Sequence, residues 1–228
     1  GDDEGASVQS SAAVITNIIP SIEAIAISPQ EGFETTVFSC VPEGWHDPDT
    51  NDAPLYDFTW YRQRLGTDEV PVANTETLDG EFFQKSDKLA CKAAPKDSDS
   101  QGIDLKSQQI TVLNSAPVVN SVTILPEDGT EETMFTCIPK GYSDADPTDG
   151  INFSYLWEVN GEGASESETI SGELFKKHDE LTCSVTPTDG ETPGEATISS
   201  ATTILNTAPT LDKVVIFPDL VFGRPETI

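Results

Sequence analysis

The sequence contains no apolar run near the ~20 residues that a transmembrane helix needs, so it predicts no membrane span. Basic residues are scarce as well: the chain has 12 Lys and Arg but 40 Asp and Glu, which gives a formal net charge of -28. Such a surface repels phosphate backbones, which argues against a nucleic-acid partner. It suits divalent cations or basic partners, although charge of one sign also keeps exposed β edges apart and maintains solubility.

Apolar periodicity of helix length is missing throughout the chain. Short alternating runs of β-branched and aromatic residues, bounded by Gly, Pro, Asp and Asn, instead predict short β strands. The clearest run is INFSYLWEV at 151–159, where the residues on one face are Phe153, Tyr155, Trp157 and Val159. A slip of one residue would expose these aromatic side chains, so the register of this strand is well specified.

Cysteine is limited to four residues, and no C-x-x-C pair occurs. The missing pair argues against a zinc site or a thioredoxin-type redox site. An even number of cysteines favours paired disulfides, which persist in oxidising compartments. We therefore expect an extracellular or cell-surface location.

An internal repeat organises the chain. NSAPVVNSVTILP at 114–126 recurs as NTAPTLDKVVIFP at 206–218 and more loosely as NIIPSIEAIAISP at 17–29. Trp60 and Trp157 each follow the preceding cysteine by 20 residues. This pattern predicts the end of a preceding repeat, two complete repeats and the start of a following repeat, at 1–17, 18–114, 115–206 and 207–228.

The two flanks are expected to lack the strands that would cover them. Each carries apolar residues that its own chain cannot bury, namely Val8, Val14, Ile15, Val214, Ile216 and Phe222. Unpaired strand edges invite partners, so we expect neighbouring copies of the chain, or missing parts of a longer array, to complete them.

The order Cys, Trp, Cys over about seven short strands resembles the immunoglobulin fold, in which a disulfide between two sheets packs against a tryptophan. Leu stands two residues before the second cysteine, where antibody domains have Tyr. The chain is therefore more similar to the tandem Ig-like, cadherin-like or PKD-like modules of large bacterial surface proteins. The resemblance covers nearly the whole chain.

That resemblance implies an all-β fold of tandem immunoglobulin-like β-sandwiches, each with one intradomain disulfide and one core tryptophan, Trp60 or Trp157. Because equivalent positions in a repeat must make equivalent bonds, we expect the pairs Cys40–Cys91 and Cys137–Cys183. Each bridge would stabilise its repeat by about 4 kcal/mol in the chain-entropy model.

Acidic residues recur at matching positions after the cysteines of both repeats. After the first cysteine they are Asp47, Asp49 and Asp52, matched by Asp144, Asp146 and Asp149; after the second they are Asp97 and Asp189. The loops concerned lie at one pole of an Ig sandwich, so these carboxylates could bind Ca²⁺, which takes 6–8 oxygen ligands. The alternative is a set of ordinary Asx turns, because Asp readily bonds its own backbone and the spacing lacks the Gly and Glu of an EF-hand.

The linkers NSAP and NTAP are short, and proline restricts their backbone, so we expect a semi-rigid rod. Catalysis is not expected, since His46 and His178 occupy non-equivalent positions. The leading hypothesis is a structural repeat in the shaft of a surface fibre, filament or sheath, with neighbouring repeats and other copies as partners. The alternatives are an adhesin for a glycan or protein receptor and a spacer attached to a secreted enzyme. The Trp-to-Cys interval of 31 residues in the first repeat, against 26 in the second, is the feature that favours an adhesin.

Overall fold

The computed structural model describes residues 5–49 and 53–214, and every regular element in those ranges is a β strand. The strands of the first repeat are β1 (Ala24–Ser28), β2 (Phe38–Glu43), β3 (Leu55–Gln63), β4 (Val70–Ala73), β5 (Thr77–Leu78), β6 (Lys88–Lys96), β7 (Leu105–Lys106) and β8 (Ile110–Thr111). Those of the second are β9 (Val118–Leu125), β10 (Phe135–Ser143), β11 (Asn152–Val159), β12 (Glu162–Ser165), β13 (Thr169–Ile170), β14 (Glu180–Thr188), β15 (Thr197–Ile198) and β16 (Thr202–Thr203). Among these residues no helix is long and apolar enough to cross a membrane.

Each repeat contains two antiparallel sheets with the same strand order. In the first repeat the orders are β1-β2-β5 and β4-β3-β6-β7, with β8 also pairing with β6. In the second they are β9-β10-β13 and β12-β11-β14-β15, with β16 also pairing with β14. A disulfide joins the two sheets in each case, Cys40 to Cys91 and Cys137 to Cys183. The chain is therefore all-β, with tandem immunoglobulin-like β-sandwiches and one disulfide in each, as predicted.

The cores form around the two tryptophans that the spacing singled out. Trp60 and Trp157 are both 0% exposed, and burial of a large apolar side chain of this kind contributes about 1.5–3 kcal/mol. Their indole N–H groups donate to the Thr75 and Ser167 carbonyl oxygens at 2.9 and 3.0 Å. Each ring therefore brings apolar area into the core without leaving a polar atom unsatisfied.

The alternation predicted for 151–159 is present in β11. Phe153, Tyr155 and Val159 pack against the core around Trp157, whereas Asn152 and Ser154 are exposed. Side chains of a strand point alternately to its two faces, so the pattern follows directly from the two-residue period.

The difference in Trp-to-Cys interval arises in one hairpin. Strands β11 and β12 are joined by Asn160 and Gly161, both with positive φ (54° and 82°), as a tight two-residue turn requires. The equivalent connection between β3 and β4 is the longer loop 64–69. Its Leu65 is 96% exposed.

The described chain separates into two compact units. The first runs up to Val118 and includes the loops Ser143–Asn152 and Thr188–Pro193; the second begins at Val119 and contains the remainder. The boundaries at 17, 114 and 206 remain predictions from the repeat pattern.

The described part of the N-terminal flank, residues 5–17, contains no strand. Val8, Val14 and Ile15 are 95%, 85% and 93% exposed, as expected for apolar residues with no strand partner. In the C-terminal flank Val214 is 71% exposed, and the predicted residues Ile216 and Phe222 lie outside the described ranges.

Candidate cation site in the acidic loops

A linker asparagine begins the network at the first acidic loops. Asn17 donates from Nδ2 to Asp97 Oδ2 at 3.0 Å and to Ser100 Oγ at 2.8 Å. The next backbone N–H, that of Ile18, donates to Asp49 Oδ2 at 2.8 Å. Two acidic loops therefore hold the segment that enters the first repeat.

The second linker makes the same contacts, and all of them lie within the first unit. Asn114 donates from Nδ2 to Asp189 Oδ2 at 2.7 Å and to Thr192 Oγ1 at 3.1 Å. The Ser115 N–H donates to Asp146 Oδ2 at 2.6 Å. Repetition of every partner shows that the network belongs to the repeat itself.

Several of these aspartates also form Asx turns. Asp47 Oδ1 accepts the Asp49 N–H at 2.9 Å, and Asp144 Oδ1 accepts the Asp146 N–H at 3.0 Å. Asp189 Oδ1 accepts the N–H groups of residues 191 and 192 at 2.6 and 2.7 Å. The turn hypothesis is thus correct for these carboxylates.

The hydrogen bonds hold two of the carboxylates in their charged form. The hydrogen bond from the Asn17 amide is the largest cause that lowers the pKa of Asp97, and backbone N–H groups lower it further. The Asn114 amide lowers the pKa of Asp189 in the same way. Hydrogen bonds donated to a carboxylate favour its ionised state. Both aspartates therefore stay negative well into the acidic range.

Three of the predicted ligands converge in the second set of loops. Asp144, Asp149 and Asp189 each place a carboxylate oxygen within 4.8 Å of the other two; we call these residues the aspartate cluster. Asp144 Oδ2 is buried and has no hydrogen-bond partner among the described atoms. The set consists of oxygen donors, which is the ligand chemistry of hard cations such as Ca²⁺.

Asp146 lies near the aspartate cluster and is only 1% exposed. One of its oxygens accepts the Ser115 N–H, but Oδ1 is buried without a described partner. Burial raises the pKa of Asp146, and the nearby charges of Asp144 and Asp149 raise it further. An ionised carboxylate in this position needs a cation close by.

Lys85 supplies one positive charge. Its Nζ donates to Asp149 Oδ2 at 2.5 Å, to Glu191 Oε1 at 2.8 Å and to Asn114 Oδ1 at 3.0 Å. The hydrogen bond to Asp149, then that to Glu191, raises the pKa of Lys85. The ammonium group is therefore charged at any physiological pH.

The two sets of predicted ligands are not equally well defined. In the first set, Asp49 and Asp97 bond the linker and Asp47 forms an Asx turn. Asp52, the counterpart of Asp149, lies outside the described ranges. Over the part of the chain that is described, a group of three close carboxylates occurs only in the second set. The assignment of calcium to either set remains a prediction.

Sequence reasoning missed Lys85, Asn114 and Glu191 as members of this site. A signal was present, because Asn17, Asn114 and Asn206 recur with the repeat and Lys85 aligns with Lys177. Lys177 Nζ likewise donates to the linker asparagine Asn206, at 3.3 Å.

No protein-family model matches the chain, and no curated protein matches it. Solved structures similar to it include a segment of two fibronectin type III domains from chicken tenascin, with 10% identity and a TM-score of 0.40 over 80% of this chain and 98% of that one. The FN1–FN3 domains of chicken CNTN1 match with 14% identity and a TM-score of 0.30 over 85% of this chain and 67% of that one. The eight N-terminal Ig domains of Down Syndrome Cell Adhesion Molecule match with 17% identity and a TM-score of 0.32 over 84% of this chain and 24% of that one. Because these values are low, the immunoglobulin-like assignment rests on the strand order, the two inter-sheet disulfides and the buried tryptophans.

Proposed function

We propose that the chain is a structural repeat segment of an extracellular surface protein and forms part of the shaft of a fibre, filament or sheath. The observation that supports this proposal best is the duplicated linker network. In both repeats an asparagine amide and the following backbone N–H are bound by two separate acidic loops. A shaft requires a restrained connection at every repeat, and a network encoded in the repeat provides one.

The chemistry of the linker explains the restraint. Hydrogen bonds to charged acceptors contribute about 1.5–3 kcal/mol each, more than bonds between neutral groups. Asn114 and Ser115 each bond a carboxylate, and Pro117, two residues later, is buried and has a fixed φ. The segment between the repeats therefore has few of the conformations that a Gly/Ser linker would sample.

The disulfides favour an extracellular location, and the negative charge favours a repetitive β protein. The disulfides close loops of 51 and 46 residues, and such bonds persist in oxidising compartments. The strong negative charge suits a repetitive β protein at high local concentration, because it opposes association of the exposed strand edges.

Small-angle X-ray scattering of the full chain in chelator tests the proposal. We expect an elongated particle for the wild type, and a shorter mean maximum dimension with a broader distance distribution for Asn114→Ala. Asn206→Ala is the matched control, since Asn206 occupies the same repeat position and bonds no carboxylate among the described residues. If Asn114→Ala scatters like the wild type, the network does not restrain the linker and the proposal loses its support.

The loop 64–69 favours adhesion as a second candidate function. It carries the extra length of the first repeat, and Leu65 at 96% exposure gives it an apolar tip. Exposed apolar residues on loops are common binding elements. Glycan-array and cell-binding measurements on the wild type and Leu65→Ser would test this candidate, which predicts binding that the substitution reduces.

A further inference from the structure

We propose that the aspartate cluster binds one Ca²⁺ ion, and that the Lys85 ammonium group neutralises the cluster when the ion is absent. The site would thus exchange a lysine for a metal ion. This inference rests on the proposed structural function, because it assigns the cation that acts at the linker network.

The spacing of the oxygens fits a single ion. A Ca–O bond is about 2.3–2.6 Å long, so ligands on opposite sides of Ca²⁺ lie about 5 Å apart. The three carboxylate oxygens of the aspartate cluster all lie within 4.8 Å of one another. Movements of side chains alone could therefore bring them to one ion.

Asp146 provides a separate indication of a ligand. Its side chain is almost completely buried, with 1% of the residue exposed, and its Oδ1 atom has no described hydrogen-bond partner. A buried carboxylate oxygen without a partner costs free energy unless a cation compensates it. An ion at the neighbouring aspartate cluster would remove that cost, directly or through the field it creates.

The excess of negative charge at this position also favours binding of a divalent cation. Four aspartates and Glu191 surround this position, and Lys85 is the single cation that contacts them among the described residues. One ammonium group leaves a large excess of negative charge. A divalent ion compensates twice as much charge at the same position.

Lys85 and the ion would compete for the carboxylate of Asp149. Lys85 Nζ contacts Oδ2 of Asp149, whose carboxylate belongs to the aspartate cluster, and also contacts Asn114 Oδ1. Two cations that share these oxygens repel each other at short distance. Binding of the ion must therefore weaken the contacts of Lys85, which can turn toward solvent because its stem is flexible.

The donor set selects Ca²⁺ over other common metal ions. It contains carboxylate and amide oxygens and neither His nor Cys, which disfavours Zn²⁺. Irregular loops accommodate the variable geometry of Ca²⁺ more readily than the strict octahedron of Mg²⁺.

Isothermal titration of the full chain with CaCl₂ tests the exchange, with Tb³⁺ luminescence as a second readout. We expect Lys85→Met to bind Ca²⁺ roughly tenfold more tightly than the wild type, a change equivalent to about 1.4 kcal/mol. Lys177→Met is the matched control and should bind as the wild type does, because the Lys177 ammonium group contacts no carboxylate within the described ranges. Asp149→Asn should lose this binding event.

Each opposite result would overturn part of the inference. Equal affinities for the wild type and Lys85→Met would disprove the exchange. No binding by either protein, or binding that Asp149→Asn leaves unchanged, would disprove the site. Circular dichroism and disulfide mapping of each variant show whether it is folded. The scattering experiment on Asn114→Ala is performed in chelator, so its outcome does not depend on this site.

Discussion

Replacing Asp146 with asparagine tests whether the second set of acidic loops carries more negative charge than its own groups can compensate. The substitution Asp146→Asn would keep an oxygen acceptor for the Ser115 N–H and remove one buried negative charge. In wild type that charge has an oxygen without a described partner and lies near Asp144 and Asp149. Leaving a buried polar group unsatisfied costs about 1–3 kcal/mol, and more when the group is charged. The uncharged amide of the variant lowers this cost, because it is not repelled by Asp144 and Asp149 and its N–H₂ group is attracted to their carboxylates. We therefore expect Asp146→Asn to be more stable than wild type by about this amount in chelator at pH 7.

The pH dependence has a defined sign. Because burial raises the pKa of Asp146 in the folded protein, its proton is bound more tightly in the folded state than in the unfolded state. Wild type therefore loses stability as pH rises from the unfolded value, about 3.9, to the raised folded value. Asp146→Asn lacks this loss. The advantage of the variant should vanish below about pH 4 and grow as pH rises through the raised folded pKa.

Thermal unfolding followed by circular dichroism measures the difference. For a protein of 150–250 residues, 1 kcal/mol corresponds to about 2–4 °C, so the variant should melt roughly 2–12 °C higher in chelator. Excess Ca²⁺ should raise the melting temperature of wild type more than that of the variant, since an ion that binds only the folded state stabilises by mass action. A variant that melts below wild type in chelator at pH 7 would refute the charge argument.

Three further predictions concern the disulfides, a closely packed glycine and the linker asparagine. Replacing Cys137 and Cys183 with alanine should lower the free energy of unfolding of the second repeat by about 4 kcal/mol in the chain-entropy model, which urea unfolding can measure. Non-reducing peptide mapping of wild type should give only the pairs Cys40–Cys91 and Cys137–Cys183. Gly172→Ala should destabilise by about 1–3 kcal/mol or more, because its Cβ would lie 1.6 Å from the Glu131 carbonyl oxygen, whereas Gly150→Ala, with nothing within 4 Å, should be close to neutral. Asn114→Ala removes the main group that lowers the pKa of Asp189, so the pKa of Asp189 should rise, which NMR titration can follow. The variant should lack part of the stability that the lowered pKa gives wild type at neutral pH, and it should lose less stability than wild type as pH falls through the lowered pKa.

The sandwich architecture was predictable because its determinants are local or periodic. Two-residue alternation places Phe153, Tyr155 and Trp157 on one face, and the common Cys-to-Trp spacing assigns the core in both repeats. Such patterns can be recognised without knowledge of tertiary contacts, since a strand with one buried face must alternate apolar and polar residues.

The membership of the cation site was only partly predictable. The aspartates stood out through their matching positions, but the contact of Lys85 with Asp149 joins residues 64 apart in sequence. That contact depends on how the loops fold, which no periodicity encodes. The repeat did contain a clue, since the linker asparagine and this lysine both recur.

In Asp144 the two interpretations of the acidic loops, an Asx turn and a calcium site, use different oxygens of the same side chain. Asp144 Oδ1 accepts the Asp146 N–H, while its Oδ2 is buried and has no described partner. Asp146 also has one bound and one unpartnered oxygen, but its Oδ2 accepts the Ser115 N–H of the linker and not a turn N–H. A turn that fixes one oxygen also fixes the direction of the other, so less conformational entropy is lost when an ion binds. The Asx turn of Asp144 therefore prepares this ligand for a cation, and finding the turn is no argument against one.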